Sequence, residues 1–72
     1  MTENIQLGDR VEVFLDSKFQ KSEGWFEGTV IRIDPYSAHR SFYWVQLDED
    51  VQAILNLQQI SVFNPRNIKK LP

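Results

Sequence analysis

The sequence predicts an all-β fold, a small barrel of about five or six antiparallel strands. Three observations predict it. Residues 23–34, EGWFEGTVIRID, gather aromatic and β-branched side chains between Gly24 and the turn signal Asp34-Pro35, which marks a central strand. Residues 10–15 and 41–47 alternate along the chain with period two, as half-buried strands do. The chain has 72 residues and no cysteine, so it forms one domain held by an apolar core rather than by disulfides or thiolate metal sites. A domain of this size buries only about 60% of the surface its unfolded chain exposes. Its aromatic content suits a compact core.

The elements follow in order. Residues 1–6 are polar and are expected to fray, leaving residues 7–72 as the domain. Leu7-Gly8-Asp9 sets a turn into the first strand, Arg10–Leu15. Val11, Val13 and Leu15 share one face, and Arg10, Glu12 and Phe14 share the other. Phe14 either closes the barrel from the far side or is exposed. Residues 16–23 read as a long hairpin loop with Phe19 tucked beneath it.

In the central strand Phe26, Gly28 and Val30 share a face, and Trp25, Glu27, Thr29, Ile31 and Ile33 share the other. Apolar residues on both faces predict burial on both sides near its end. Gly28 inside a strand signals a bulge, a bend or the close approach of another backbone. Asp34-Pro35-Tyr36-Ser37 suits a turn with proline at its second position.

The third strand, Ser41–Leu47, sets Phe42, Trp44 and Gln46 against Tyr43, Val45 and Leu47. Asp48, Glu49 and Asp50 end it, because adjacent carboxylates repel and seek water. Residues 51–57, VQAILNL, fit strand or helix by periodicity, and a barrel favours strand. Residues 60–63 read as strand. Asn64-Pro65-Arg66-Asn67 reads as a tight or 3-10 turn, with proline presetting its backbone angle. Residues 68–71 close the sheet.

This order of pieces resembles the Tudor and Agenet-type domains of the wider Src-homology-3-like small barrels. The resemblance covers residues 7–71. It rests on Gly8-Asp9-Arg10-Val11, on Gly24-Trp25-Phe26 through Ile33-Asp34, on Tyr43-Trp44-Val45 through Leu47-Asp48, and on Asn64-Pro65-Arg66-Asn67-Ile68. It implies a binding module. Tudor domains that read methylated side chains do so in an aromatic cage, by cation–π attraction. The resemblance places the cage positions at Leu15 or Phe14, at Phe26, and near Leu47 and Asp50, of which the last two are not aromatic. Tyr36 and Tyr43 are the rings left to rebuild a cage from other directions. The tyrosine-rich first strand of peptide-binding Src-homology domains is replaced here by Val11-Glu12-Val13-Phe14, so part of a proline-peptide groove is missing.

The chemistry points the same way. The formal charge is −2, whereas nucleic-acid-binding domains are usually basic. No apolar run reaches the ~18 residues of a membrane span. The opening MTENIQLGDR lacks the basic and apolar regions of a signal peptide, and a cytoplasmic location is expected. Adjacent carboxylates on a strand point to opposite faces, so Asp48, Glu49 and Asp50 suit a basic partner better than acid–base catalysis. His39, beside Arg40 in a polar loop, reads as a solvated histidine. No nucleophile context, phosphate loop or metal-ligand set is present in the sequence, so neither an enzyme nor a cofactor is expected.

The expected function is a non-catalytic protein-interaction module or small accessory subunit. A protein or peptide partner would bind Trp25, Phe26, Tyr36, Tyr43, Asp48, Glu49 and Asp50. The alternative is a barrel that stacks single-stranded nucleic acid on Trp44 and Tyr43 beside Arg66, Lys69 and Lys70. The oligomeric state is open, since a short edge strand can pair with a copy of itself.

Overall fold

The computed structural model describes residues 5–15 and 24–72. The expected hairpin loop with Phe19, and most of the expected frayed start, lie outside these residues. Five strands form one antiparallel sheet in the order β4-β3-β2-β1-β5. They are β1 (Arg10–Leu15), β2 (Gly24–Pro35), β3 (Ser41–Leu47), β4 (Gln59–Val62) and β5 (Ile68–Lys70), with a helix α1 (Glu49–Leu55) between β3 and β4 and a 3-10 turn, Pro65–Asn67, before β5.

Side-chain alternation builds the core directly. Val11, Val13 and Leu15 of β1 are buried, as are Val30 of β2, Val45 and Leu47 of β3, Val62 of β4 and Ile68 of β5. Ile5, two residues ahead of the expected domain start, packs into the same cluster. It is followed by a turn in which Gly8 has φ +85° and the Asp9 carboxylate accepts from the Gln6 N–H at 2.8 Å. The core is aliphatic rather than aromatic: among the described residues no ring is fully buried, and Phe26 and Tyr43 only pack against its margin. Valine suits so narrow an interior, because a branched side chain fills the space above a pleated sheet at low rotamer cost. Among the described rings, Trp25, Tyr36 and Phe42 are left exposed.

Two expectations about the elements change in the structure. Residues 51–57 do not form a strand; residues 49–55 are helical. Val51 and Leu55, four residues apart, bury one stripe into the core. Asp48 is the N-cap, Glu49 and Asp50 occupy the first turn, and Asn56 ends the helix at φ 56° with its N–H donating to the Gln52 carbonyl. The three carboxylates that were expected to end β3 therefore also start the helix, where its dipole favours negative charge.

Of the alternatives at Gly28, the structure has the close approach of another backbone: a Cβ there would lie 2.5 Å from the Gln46 carbonyl oxygen and 2.6 Å from Val45 Cγ1. The second change is at the end of β2, where the β2–β3 register shifts between Val30 and Arg32. The extra residue, Ile31, is 41% exposed, and the shift returns Ile33 to the core side. The end of β2 is thus buried on one face, not two.

The 3-10 turn forms as expected. The Asn64 side chain accepts from the Arg66 N–H at 2.9 Å, and Pro65 opens the turn. It delivers Ile68 opposite Val13, so β5 pairs with β1 at the far edge of the sheet from β4.

Candidate functional site

The start of the helix is tied to the sheet by an arginine. Arg10, the exposed first residue of β1, donates to both oxygens of Asp48, at 2.7 and 2.6 Å. It also donates to Thr29 Oγ1 at 3.0 Å and reaches Glu27 Oε1 at 3.3 Å. The Asp48 N–H donates to the Glu27 carbonyl at 3.2 Å. A forked guanidinium gripping a carboxylate is a strong, directional contact. The hydrogen bonds from Arg10 hold the Asp48 carboxyl below the ordinary carboxylate range, and Asp48 raises the Arg10 guanidinium in turn. Asp48 makes no side-chain cap bond to the helix, because its oxygens are turned to Arg10.

With Asp48 so placed, α1 and the start of β2 enclose a groove of about 310 Å³ lined by Trp25, Phe26, Glu27, Asp48, Asp50, Val51 and Ile54. Val51 and Leu55 face the core, so Asp50 and Ile54 fall together on the neighbouring stripe of the helix. Ile54 is 62% exposed and Trp25 is 37% exposed. The Trp25 ring lies 5.5 Å from the Phe14 ring, and Lys69 Nζ sits 4.3 Å from its centroid. The open alternative for Phe14 is thereby resolved: it is half-buried against Trp25 on the outer face. The groove offers apolar contact with carboxylates along it, and the residues lining it include no histidine, serine, tyrosine or lysine.

Of the residues expected to bind a protein partner, four line this groove: Trp25, Phe26, Asp48 and Asp50. Glu49 lines a neighbouring depression of about 320 Å³ with Thr29, Ile31, Gln46 and Gln52, which shares Asp48 with the groove. Tyr36 lies past the far end of β2, where it is 70% exposed. It makes edge-on ring contacts there with Phe42 at 6.0 Å and Phe63 at 5.4 Å. Tyr43 turns toward the core. Glu27, Ile54 and Arg10 were not expected at the site. The signal for Ile54 was present in the sequence: Asp48 followed by two acidic residues and an apolar i, i+4 pair is a helix start.

The residues of the nucleic-acid alternative are spread out. Trp44 is half-buried on the outer face of β3, its indole N–H donating to Asp34 at 3.1 Å. Lys69 sits over Trp25, and Lys70 pairs with Asp9 at 3.4 Å. Arg66 is in the 3-10 turn. In the sheet, β2 and β1 stand between β3 and β5. Among the described residues no group of His, Cys, Asp or Glu is placed to hold a metal ion, and no helix is long and apolar enough to cross a membrane. His39 is exposed in the loop between β2 and β3.

No protein-family model, curated protein or solved structure matches this chain.

Proposed function

We propose that the chain is a small barrel of the Tudor and Src-homology-3-like kind that serves as a non-catalytic protein-interaction module. Its groove between β2 and α1 binds a protein or peptide segment carrying an apolar residue flanked by lysine or arginine. The sheet order β4-β3-β2-β1-β5, the long bulged β2 and the 3-10 turn before β5 are in keeping with that fold. One observation carries the functional reading: two exposed apolar side chains, Trp25 and Ile54, line the same groove as Glu27 and Asp50. Exposed tryptophan is the side chain most often found to dominate binding energy at interfaces. Carboxylates beside it favour basic partners and set the association rate more than the affinity.

The test is a titration of the labelled protein with an array of short peptides, each an apolar residue between basic ones, followed by amide NMR. Shifts should centre on Trp25, Glu27, Asp50 and Ile54. Trp25→Ala and Ile54→Ser should each weaken the best peptide about tenfold or more. Asp50→Asn should weaken it less and reduce its salt dependence. Affinities unchanged in all three variants, with the fold intact by circular dichroism, would remove the groove from the reading.

A further inference from the structure

At the end of β2 away from the groove lies a second exposed apolar surface. Tyr36, Phe42 and Phe63 contact one another, with the Phe42 and Phe63 rings 4.7 Å apart. The Arg40 guanidinium carbon lies 5.2 Å from the Phe63 centroid. Tyr36 and Arg40 belong to the loop joining β2 to β3, which is closed by the Tyr36 and Ser37 N–H groups donating to the Arg40 carbonyl. Arg40 has no carboxylate partner among the described residues. At the groove the converse holds: Asp50 has no cationic partner among the described residues. Trp25 and Glu27 are near the first residue of the 12-residue β2, and Tyr36 follows its last. The longest dimension of the molecule is 34 Å, and the two surfaces lie toward opposite ends of that strand.

We infer that the groove accepts the Tyr36–Phe42–Phe63–Arg40 pole of a second copy of this chain, so that copies associate head to tail. The inference rests on the groove reading above and names its partner. A basic apolar surface is what the groove requires, and this molecule displays one. The pole requires an apolar surface with a carboxylate that no cation among the described residues already holds, and the groove has one in Asp50. Complementarity is therefore satisfied on both sides by the same chain, with rings against Trp25 and Ile54 and Arg40 toward Asp50. Because the two surfaces differ, the contact is heterologous and can propagate into a ring or an open chain. The pole's own occupants of other chemistry, such as an acidic peptide or single-stranded nucleic acid, are separate outcomes of the test.

The test is sedimentation of the full chain across concentrations up to about 1 mM, at low and high salt. The mass should rise past that of a dimer with concentration and fall back with salt. Arg40→Glu and Asp50→Lys should each leave the chain monomeric. Mixed together they should associate again, because the intact pole of one variant meets the intact groove of the other and the two altered sites carry opposite charges. The double variant Arg40→Glu, Asp50→Lys should associate again. A wild-type chain that stays monomeric throughout, or two single variants that do not combine, overturns the inference. If a monomeric wild-type chain still binds basic peptides at Trp25, the groove reading survives and only self-association is lost. Binding of an oligonucleotide or an acidic peptide at Tyr36 to a monomeric wild-type chain assigns the pole to that partner instead, and equally overturns it.

Discussion

Gly28 and Arg10 show how much rests on single residues. At Gly28 the neighbouring strand comes so close that any Cβ would meet the Gln46 backbone at 2.5 Å. That atom belongs to a paired strand and cannot swing aside. Gly28→Ala should therefore destabilise the fold by about 2 kcal/mol, as overpacking does, and lower the urea midpoint accordingly. Arg10 holds two elements together from a half-exposed position, where screening keeps an ion pair weak. Arg10→Ala should cost about 1 kcal/mol near neutral pH, the upper end for an exposed pair, given the forked geometry.

Its pH dependence has a definite sign. The Asp48 carboxyl is held below its ordinary value in the folded state, so its contribution is present above the unfolded value, about 3.9. It is lost as pH falls through the folded value. Asp9 is also lowered, chiefly by the Gln6 N–H and then by Lys70. Acid titration followed by tryptophan fluorescence should show stability declining below about pH 4. The decline should be shallower, not absent, in Arg10→Ala, because Asp9 remains.

At the scale of elements, α1 explains why the groove exists. Its seven residues are too few to be stable alone, so tertiary contacts must supply the helix. The Arg10–Asp48 contact sets one end, Leu55 is buried at the other, and the Gln52 side chain donates to the Leu47 carbonyl at 2.6 Å. Leu55→Ala should cost about 3 kcal/mol, the usual size for a buried leucine. Asn56 tests the C-terminal end. Its left-handed backbone is tolerated by asparagine and better by glycine, so Asn56→Gly should be neutral or slightly stabilising. Asn56→Ala should cost about 1 kcal/mol, and thermal melts of the pair give the comparison. If α1 is loosened in this way, peptide shifts at Trp25 should weaken along with it, since one wall of the groove is the helix.

At the scale of the molecule, the sheet is completed by the chain's last strand pairing with its first. Val13 meets Ile68 across β1 and β5, and both are buried. Pairings so distant in sequence must pay loop-closure entropy before any contact rewards it. Ile68→Ala should therefore loosen the whole sheet rather than one edge, with loss of about 3 kcal/mol. Tryptophan fluorescence and far-ultraviolet dichroism should still report one coincident transition. The distribution of side chains follows from the same geometry. A valine-lined interior leaves Trp25 and Tyr36 exposed toward opposite ends of β2, one beside carboxylates and the other beside Arg40.

The sequence by itself determined the five strands and which residues share a face in β1 and β3. Alternation at Val11, Val13 and Leu15, and at Tyr43, Val45 and Leu47, is a local property of a pleated chain. So is the turn at Asn64-Pro65, where proline and an asparagine side chain act on their own backbone. Trp25, Phe26, Asp48 and Asp50, which line one groove, were legible as candidates because surplus rings and adjacent acids stand out in so short a chain. The helix at Glu49–Leu55, the bulge at Ile31 and the assembly of the groove were decided only in three dimensions. The residues after Asp48 fit either a strand or a helix by periodicity; in the fold Val51 and Leu55 bury one helical stripe, and Arg10, 38 residues from Asp48 in sequence, holds the N-cap residue. The face taken by Ile33 depends on a register shift against β3, and no period within β2 encodes it. Tyr43 and Tyr36, alike as sequence signals, part company because one falls on the core face of β3 and the other beyond the end of β2.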